Sequence, residues 1–209
     1  MSDSVNITAR NARLCSLGDV ASLRAGYSFR SAIPESAEGD VLAVQLRDIR
    51  RERLNWSTVV RTSLAREPGK NEWLSAGDVL FVFRGTRYFA VVLEQVPMRT
   101  VASTQFMLVR VKDSSALLPG FLAWQLNQAP AQKYFNQAAE GTAQRSLRRA
   151  KIEAVTLAVP SVQRQRAIVE LVDLARRERD AMDELMRIRE QQLSQVAASL
   201  RASAGAAEV

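Results

Sequence analysis

From Val162 to Ala204 the sequence holds neither glycine nor proline, and nothing else along the chain limits its architecture so tightly. Pro160 closes an extended stretch, Ser161 is a favourable residue at a helix start, and Gly205 supplies a stop. At ~1.5 Å per residue the predicted helix is roughly 60 Å long. A body of about 160 residues does not need such a length for its own core, so part of the helix is expected to project. Its apolar residues Ile168, Val172, Ala175, Met182, Met186, Leu193, Val196 and Leu200 recur on alternating four- and three-residue steps, interrupted by Arg179 and Arg189. Glu178, Asp180, Asp183, Glu184, Arg187 and Glu190 fill the flanks. That spacing is a coiled-coil seam, and it predicts pairing with another helix. The plainer alternative is an amphipathic helix lying back on its own domain.

Charge is distributed to match this division. The formal net charge is +7, yet from Ser161 onward eight Arg balance eight acidic residues. Residues 1–160 carry 21 basic and 14 acidic residues, so the whole surplus sits on the body. Nearly all of the basic residues are Arg, the side chain whose planar fork matches phosphate and the guanine edge. The pattern points to a polyanion-binding body on a neutral pairing helix. Arg in place of Lys also follows from a GC-rich genome, but codon bias does not place the surplus on one part of the chain. The single cysteine, Cys15, excludes an internal disulfide and fits a reducing cytosol. No stretch has the length and apolarity of a signal peptide or membrane span, so a soluble cytoplasmic protein is expected.

Many chemistries are excluded by residue type. With no histidine, Ser-His-Asp and Cys-His triads and histidine-based zinc sites are impossible. The lysines Lys70, Lys112, Lys133 and Lys151 are preceded two places earlier by Pro68, Arg110, Ala131 and Arg149, so the Asp/Glu-x-Lys half of a common nuclease site is missing. Gly69-Lys70 lacks the earlier glycine of a phosphate-binding loop. Asp48, Asp78 and Glu94 remain as carboxylates, read here as turn and surface charges. The sequence is that of a non-enzyme with no cofactor of its own.

The body reads as α+β. Leu14 to Leu23 is a strand or short helix ended by Gly26; Tyr27 to Gly39 is loop; Val41 to Ile49 and Leu54 to Val60 alternate like half-buried strands, joined by a basic connector from Arg50 to Arg53. Trp73 to Phe83 is a turn feeding a buried strand, and Arg84-Gly85-Thr86-Arg87 is the tip of a hairpin returning through Tyr88 to Leu93. Thr100 to Thr104 and Gln105 to Val111 form another expected strand pair. Helices are predicted over Pro119 to Gln128 and from Pro130 to Gly141. Thr142 to Lys151 is polar and basic, and Ile152 to Val159 is the last strand. Short strands with unequal loops fit a twisted or barrel-like antiparallel sheet followed by one long helix. The expected divisions are a flexible 1–13, a recognition body 14–160, a pairing helix 161–203 and a disordered tail 204–209.

Several short stretches in this order carry a family resemblance. They are Leu17-Gly18-Asp19-Val20; Leu74-Ser75-Ala76-Gly77-Asp78-Val79-Leu80; Gly141-Thr142 with Leu147; and Val159-Pro160-Ser161-Val162-Gln163-Arg164-Gln165-Arg166-Ala167-Ile168. Together they resemble the specificity subunit of type I restriction-modification systems, in the form of one target-recognition domain and one connecting helix. Full subunits of that family hold two of each, so the chain resembles half a subunit, either natural or a fragment of a longer protein. The resemblance implies a non-catalytic DNA-recognition role, an antiparallel homodimer reading a bipartite symmetric site, and a partner adenine methyltransferase that binds S-adenosylmethionine. A restriction-translocase subunit is a further implied partner where restriction accompanies modification. Under that reading Arg50, Arg51, Arg53, Arg148, Arg149 and Lys151 suit phosphate contacts. Arg47, Arg84, Thr86, Arg87, Thr104, Gln105, Gln144 and Arg145 offer donors and acceptors on loop tips for base edges. The competing reading is an adaptor without a DNA role, whose basic body docks an acidic protein.

Overall fold

The computed structural model describes residues 12–141 and 145–205, without the side chains of Leu200 and of residues 202–205. Chain order is β1 (Arg13–Ser16), α1 (Leu17–Val20), β2 (Ala21–Ala25), β3 (Val41–Val44), β4 (Ile49–Arg50), β5 (Arg53–Leu54), β6 (Val60–Thr62), β7 (Val79–Val82), β8 (Phe89–Val92), β9 (Thr100–Ala102) and β10 (Phe106–Val111). Then come α2 (Pro119–Leu126), α3 (Ala129–Ala138), α4 (Arg149–Glu153), β11 (Thr156–Val159) and α5 (Val162–Gly205). Short 3-10 turns occupy Leu46–Asp48 and Trp56–Thr58. The fold is α+β, as the sequence implies. Of the regions expected to be flexible, 1–11 and 206–209 lie outside the described residues, as does Gln144; Arg13 already belongs to β1, and helix continues through Gly205.

The chain divides into two compact units, one up to Ala167 and one from Ile168 onward. In the first, an antiparallel sheet runs in the order β2-β10-β7-β8, and a second sheet runs β6-β3-β9. β4 and β5 form a hairpin, and β1 pairs with β11. One apolar cluster draws Leu42 and Val44 from β3, Leu80 and Val82 from β7, and Phe106 and Leu108 from β10. Burying each such side chain contributes about 1.5–3 kcal/mol before chain entropy is subtracted. A second cluster gathers Tyr27, Val41, Ala43, Val60 and Val101.

Four expectations about strands need correction, the first being that Ile152 to Val159 is all strand: Ile152 and Glu153 end α4, and β11 spans only Thr156–Val159. Val41 to Ile49 is no half-buried strand: Leu42 and Val44 enter one cluster while Val41 and Ala43 enter the other, so β3 is covered on both faces and stops at Val44. Consecutive strands β9 and β10 do not pair; β9 lies parallel to β3, whereas β10 pairs antiparallel with β2 and β7. Leu54 to Val60 divides into β5, a 3-10 turn and β6. The hairpin around Arg84 to Arg87 holds as expected, β7 meeting β8 in the register Val82↔Phe89.

The resembling stretches have local causes. Ser16 and Asp19 cap α1 reciprocally, Ser16 N–H donating to Asp19 Oδ2 at 3.0 Å and Asp19 N–H to Ser16 Oγ at 3.3 Å. These bonds hold the Asp19 carboxyl below its ordinary range. Lys112 Nζ closes the other end, donating to the carbonyls of Gly18 and Asp19 at 2.8 and 3.0 Å. In the turn before β7, Gly77 adopts φ 86° and Asp78 Oδ2 accepts from Ser75 N–H at 2.8 Å. Arg110 grips both oxygens of Asp78 at 2.6 Å and also donates to the Trp73 carbonyl. Asp48 likewise accepts from Gln45 N–H at 2.8 Å. Both acids are turn groups, as expected, but they are buried and not surface charges.

Candidate nucleic-acid interface

The loops that carry the Arg-rich stretches converge because backbone bonds tie them together. Gly85 N–H donates to the Arg145 carbonyl at 2.9 Å, and Leu147 N–H to the Phe83 carbonyl at 3.0 Å. Glu140 and Ser146 exchange a reciprocal pair of bonds at 3.0 and 2.9 Å, closing the loop that holds Arg145. The hairpin tip with Arg84, Thr86 and Arg87 is thereby fixed to Arg145 and Leu147. Arg84 stacks its guanidinium over the Phe83 ring at 4.9 Å, and Arg145 Nη2 donates to the Asn136 carbonyl.

A third loop joins them through Glu52. The expected connector from Arg50 to Arg53 is a two-residue hairpin turn between β4 and β5, with Arg50 and Arg53 directly opposed. Both turn residues have positive φ, 52° at Arg51 and 59° at Glu52. Such turns favour Asn-Gly, and a left-handed residue other than glycine costs about 1–3 kcal/mol. The turn persists because it is held. Glu52 Oε2 accepts from Asn127 Nδ2 at 3.0 Å, while the same amide brackets Ala90 on β8, accepting from its N–H at 2.7 Å and donating to its carbonyl at 2.9 Å. Glu52, Thr86, Arg87, Tyr88, Asn127 and Gln132 are among the residues that line one polar concavity of about 200 Å³.

A fourth segment is continuous with the third. The 3-10 turn containing Arg47 is bound to the β4–β5 hairpin by Asn55 N–H donating to the Asp48 carbonyl at 2.9 Å. Gln105, in the turn between β9 and β10, accepts from Leu46 N–H through its side-chain oxygen at 3.4 Å. The fold therefore brings Arg47, Thr104 and Gln105 beside one another, and Arg50, Arg51, Arg53, Arg84, Thr86, Arg87 and Arg145 onto linked loops.

Other candidates sit differently. Arg148 pairs with Glu140 at 2.8 Å, at the foot of the 140–147 loop. Arg149 and Lys151 lie on α4, where Arg149 pairs with Glu153 at 2.7 Å, and Gly18 of α1 packs close to the Glu153 side chain. Glu52 and Asn127 are not legible as site residues in the sequence. The one available signal for Glu52 was an acid set among Arg50, Arg51 and Arg53, while Asn127 carries no local signal, because its partners are 37 and 75 residues away.

On α5, the expected seam residues Ala175, Met182, Met186, Leu193 and Val196 are exposed, and Ile168 and Val172 are half-buried. The side chain of Leu200 lies outside the described residues. Leu171, Leu174, Leu185 and Ile188 are exposed as well. They form a second apolar row one residue earlier, so between 171 and 188 the apolar face is wider than the seam. Glu184 and Arg187 pair along the flank at 2.6 and 2.8 Å, which holds the Glu184 carboxyl below its usual range. No described helix is long and apolar enough to cross a membrane.

No family model matches the chain. No curated protein matches it in sequence either. Solved structures do match in fold. The type I restriction-modification system S subunit from M. genitalium aligns with a TM-score of 0.59 and 12% identity over 90% of this chain and 44% of that one. A chain from a study of complex assembly and conformational transition of the type I R-M system aligns at 0.66 with 17% identity, over 90% of this chain and 44% of its own length. The HsdS subunit from Thermoanaerobacter tengcongensis aligns at 0.59 with 18% identity, covering 84% of this chain and 40% of that one. The chain thus spans less than half the length of each of these three structures, and over that span it has the fold of a type I restriction-modification S subunit.

Proposed function

We propose that this chain is a cytoplasmic, non-catalytic DNA-recognition subunit of a type I restriction-modification assembly. The observation that carries the reading is the convergence of Arg47, Arg50, Arg51, Arg53, Arg84, Arg87 and Arg145 on loops bound to one another, on a fold shared with S subunits. Arg50, Arg51, Arg53 and Arg148 contact phosphates and set register; Arg47, Arg84, Thr86, Arg87, Thr104, Gln105, Gln144 and Arg145 have the role of reading base edges. Arg149 and Lys151 extend the phosphate track. A partner methyltransferase supplies the S-adenosylmethionine site and the chemistry, and a restriction-translocase subunit completes the assembly where cleavage accompanies modification. The exposed apolar face of α5 pairs with a second copy, so that the two-fold assembly reads a bipartite symmetric site.

Binding of target and scrambled duplexes across a salt series tests the DNA role. Each phosphate contact adds roughly 0.9 to the slope of log affinity against log salt. Arg84→Ala with Arg87→Ala is expected to weaken target binding at least ~10-fold, with the scrambled duplex affected less. Unchanged affinity and slope would remove this loop from the interface, and no preference for duplex over an acidic protein competitor would favour an adaptor instead.

A further inference from the structure

We propose that Glu52 reads a base, its carboxylate accepting the exocyclic amino group of a cytosine while Arg87, on the same concavity, donates to the O6 and N7 of the paired guanine. The inference rests on the DNA-recognition reading and names one base pair within it. Glu52 is presented by a two-residue turn whose residues both hold left-handed backbone conformations without being glycine or asparagine. Its side chain is aimed by Asn127, and Asn127 is itself locked to both backbone polar groups of Ala90 on a sheet strand. A carboxylate carried on such a turn and oriented from such a strand is preorganised, and little ordering remains to be done on binding.

Charge decides what it can receive. Arg51 and Arg53 flank Glu52 in the chain, Arg50 lies opposite Arg53, and Arg87 shares the concavity. A surface of this kind draws the phosphate backbone close, and a carboxylate in its midst repels phosphate. The groups of duplex DNA that a carboxylate attracts are the amino N–H donors of the bases, and the amino group of cytosine is its characteristic partner in the major groove. One acceptor site of Glu52 is taken by Asn127, and a carboxylate has several. Arg87 supplies the bidentate fork that guanine requires. A glutamate and an arginine on one concavity thus present the acceptor and the donors of a C·G pair.

The test uses the full chain and a random-sequence duplex pool, followed by competition among duplexes substituted one base pair at a time. Glu52→Gln keeps an oxygen for Asn127 and so preserves the turn, while replacing an acceptor-only group by an amide that pairs with adenine. The wild type is expected to prefer C·G over the other pairs at one position by about 10- to 100-fold. Glu52→Gln should abolish that preference or turn it toward A·T there and leave the other positions unchanged, and Arg87→Ala should relax the same position. If the wild type selects a defined site and Glu52→Gln selects the identical site with uniformly altered affinity, Glu52 only holds its turn and the proposal is wrong. If the wild type selects no site at all, the DNA-recognition reading falls, and this inference with it.

Discussion

Gly26 shows how much a single position decides. A Cβ built there would lie 2.2 Å from the Ser103 carbonyl oxygen and 2.5 Å from that of Ala102. Both are backbone atoms, so no side chain can swing aside. The contact exists because Gly26 N–H donates to the Phe106 carbonyl and Tyr27 N–H to the Ala102 carbonyl, pinning the end of β2 against the β9–β10 turn. Gly26→Ala is expected to destabilise the protein by upward of about 2 kcal/mol, read as a lowered midpoint in denaturant. In the sequence Gly26 reads as a stop after an apolar run, and the stop is real. Its reason is a close approach from residues 76 and 77 positions away, which no local pattern encodes. Glu52 and Asn127 repeat the lesson, the turn between Arg50 and Arg53 reading only as a basic connector until Asn127 is found against it.

Among elements, the start of α5 carries the clearest link between motif and structure. Gln165 is fully buried. Its oxygen accepts from Leu118 N–H at 2.8 Å, and its amide donates to the carbonyls of Ala116 and Pro160, each at 2.9 Å. The side chain thereby joins the first turn of the long helix to the loop before α2, and satisfies backbone groups that would otherwise be buried unpaired. Gln165→Ala removes all three bonds at once and leaves three backbone groups open. A loss of about 3 kcal/mol or more is expected, measurable by chemical denaturation, whereas substitution of the neighbouring exposed Arg166 should stay within about 0.5 kcal/mol. The run Gln163-Arg164-Gln165 offers two glutamines, and only helix phase against the body picks the buried one. Strand pairing shows the same limit. The β7–β8 hairpin is legible because its partners are adjacent in sequence, while β3 with β9 and β10 with β2 are joined across intervening strands.

For the whole molecule, the unit up to Ala167 holds the joined Arg-rich loops, and the unit from Ile168 exposes a wide apolar face. If two copies pair through this face as proposed, the wild type has the dimer mass by light scattering and Met186→Glu with Leu193→Glu is expected to give the monomer mass, without loss of the body's folded signal. Binding to a duplex with two half-sites should then fall by about 100-fold or more, while binding to a single half-site holds, because pairing converts the second contact into an intramolecular one. A surviving dimer would show that copies pair elsewhere.

By itself, the sequence determined one long helix after Pro160, the α+β class, the hairpin at Arg84 to Arg87 and the placing of positive charge on the body. These follow from periodicity, from turn residues and from composition, all of which act between residues close in the chain. Tertiary structure alone decided that the loops of Arg47, Arg51, Arg84 and Arg145 stand together, that β3 is covered on both faces, and that Glu52 is aimed by Asn127. Those outcomes depend on hydrogen bonds and packing between segments tens of residues apart, and such contacts are selected by the closing of the whole core, which leaves no trace in local spacing.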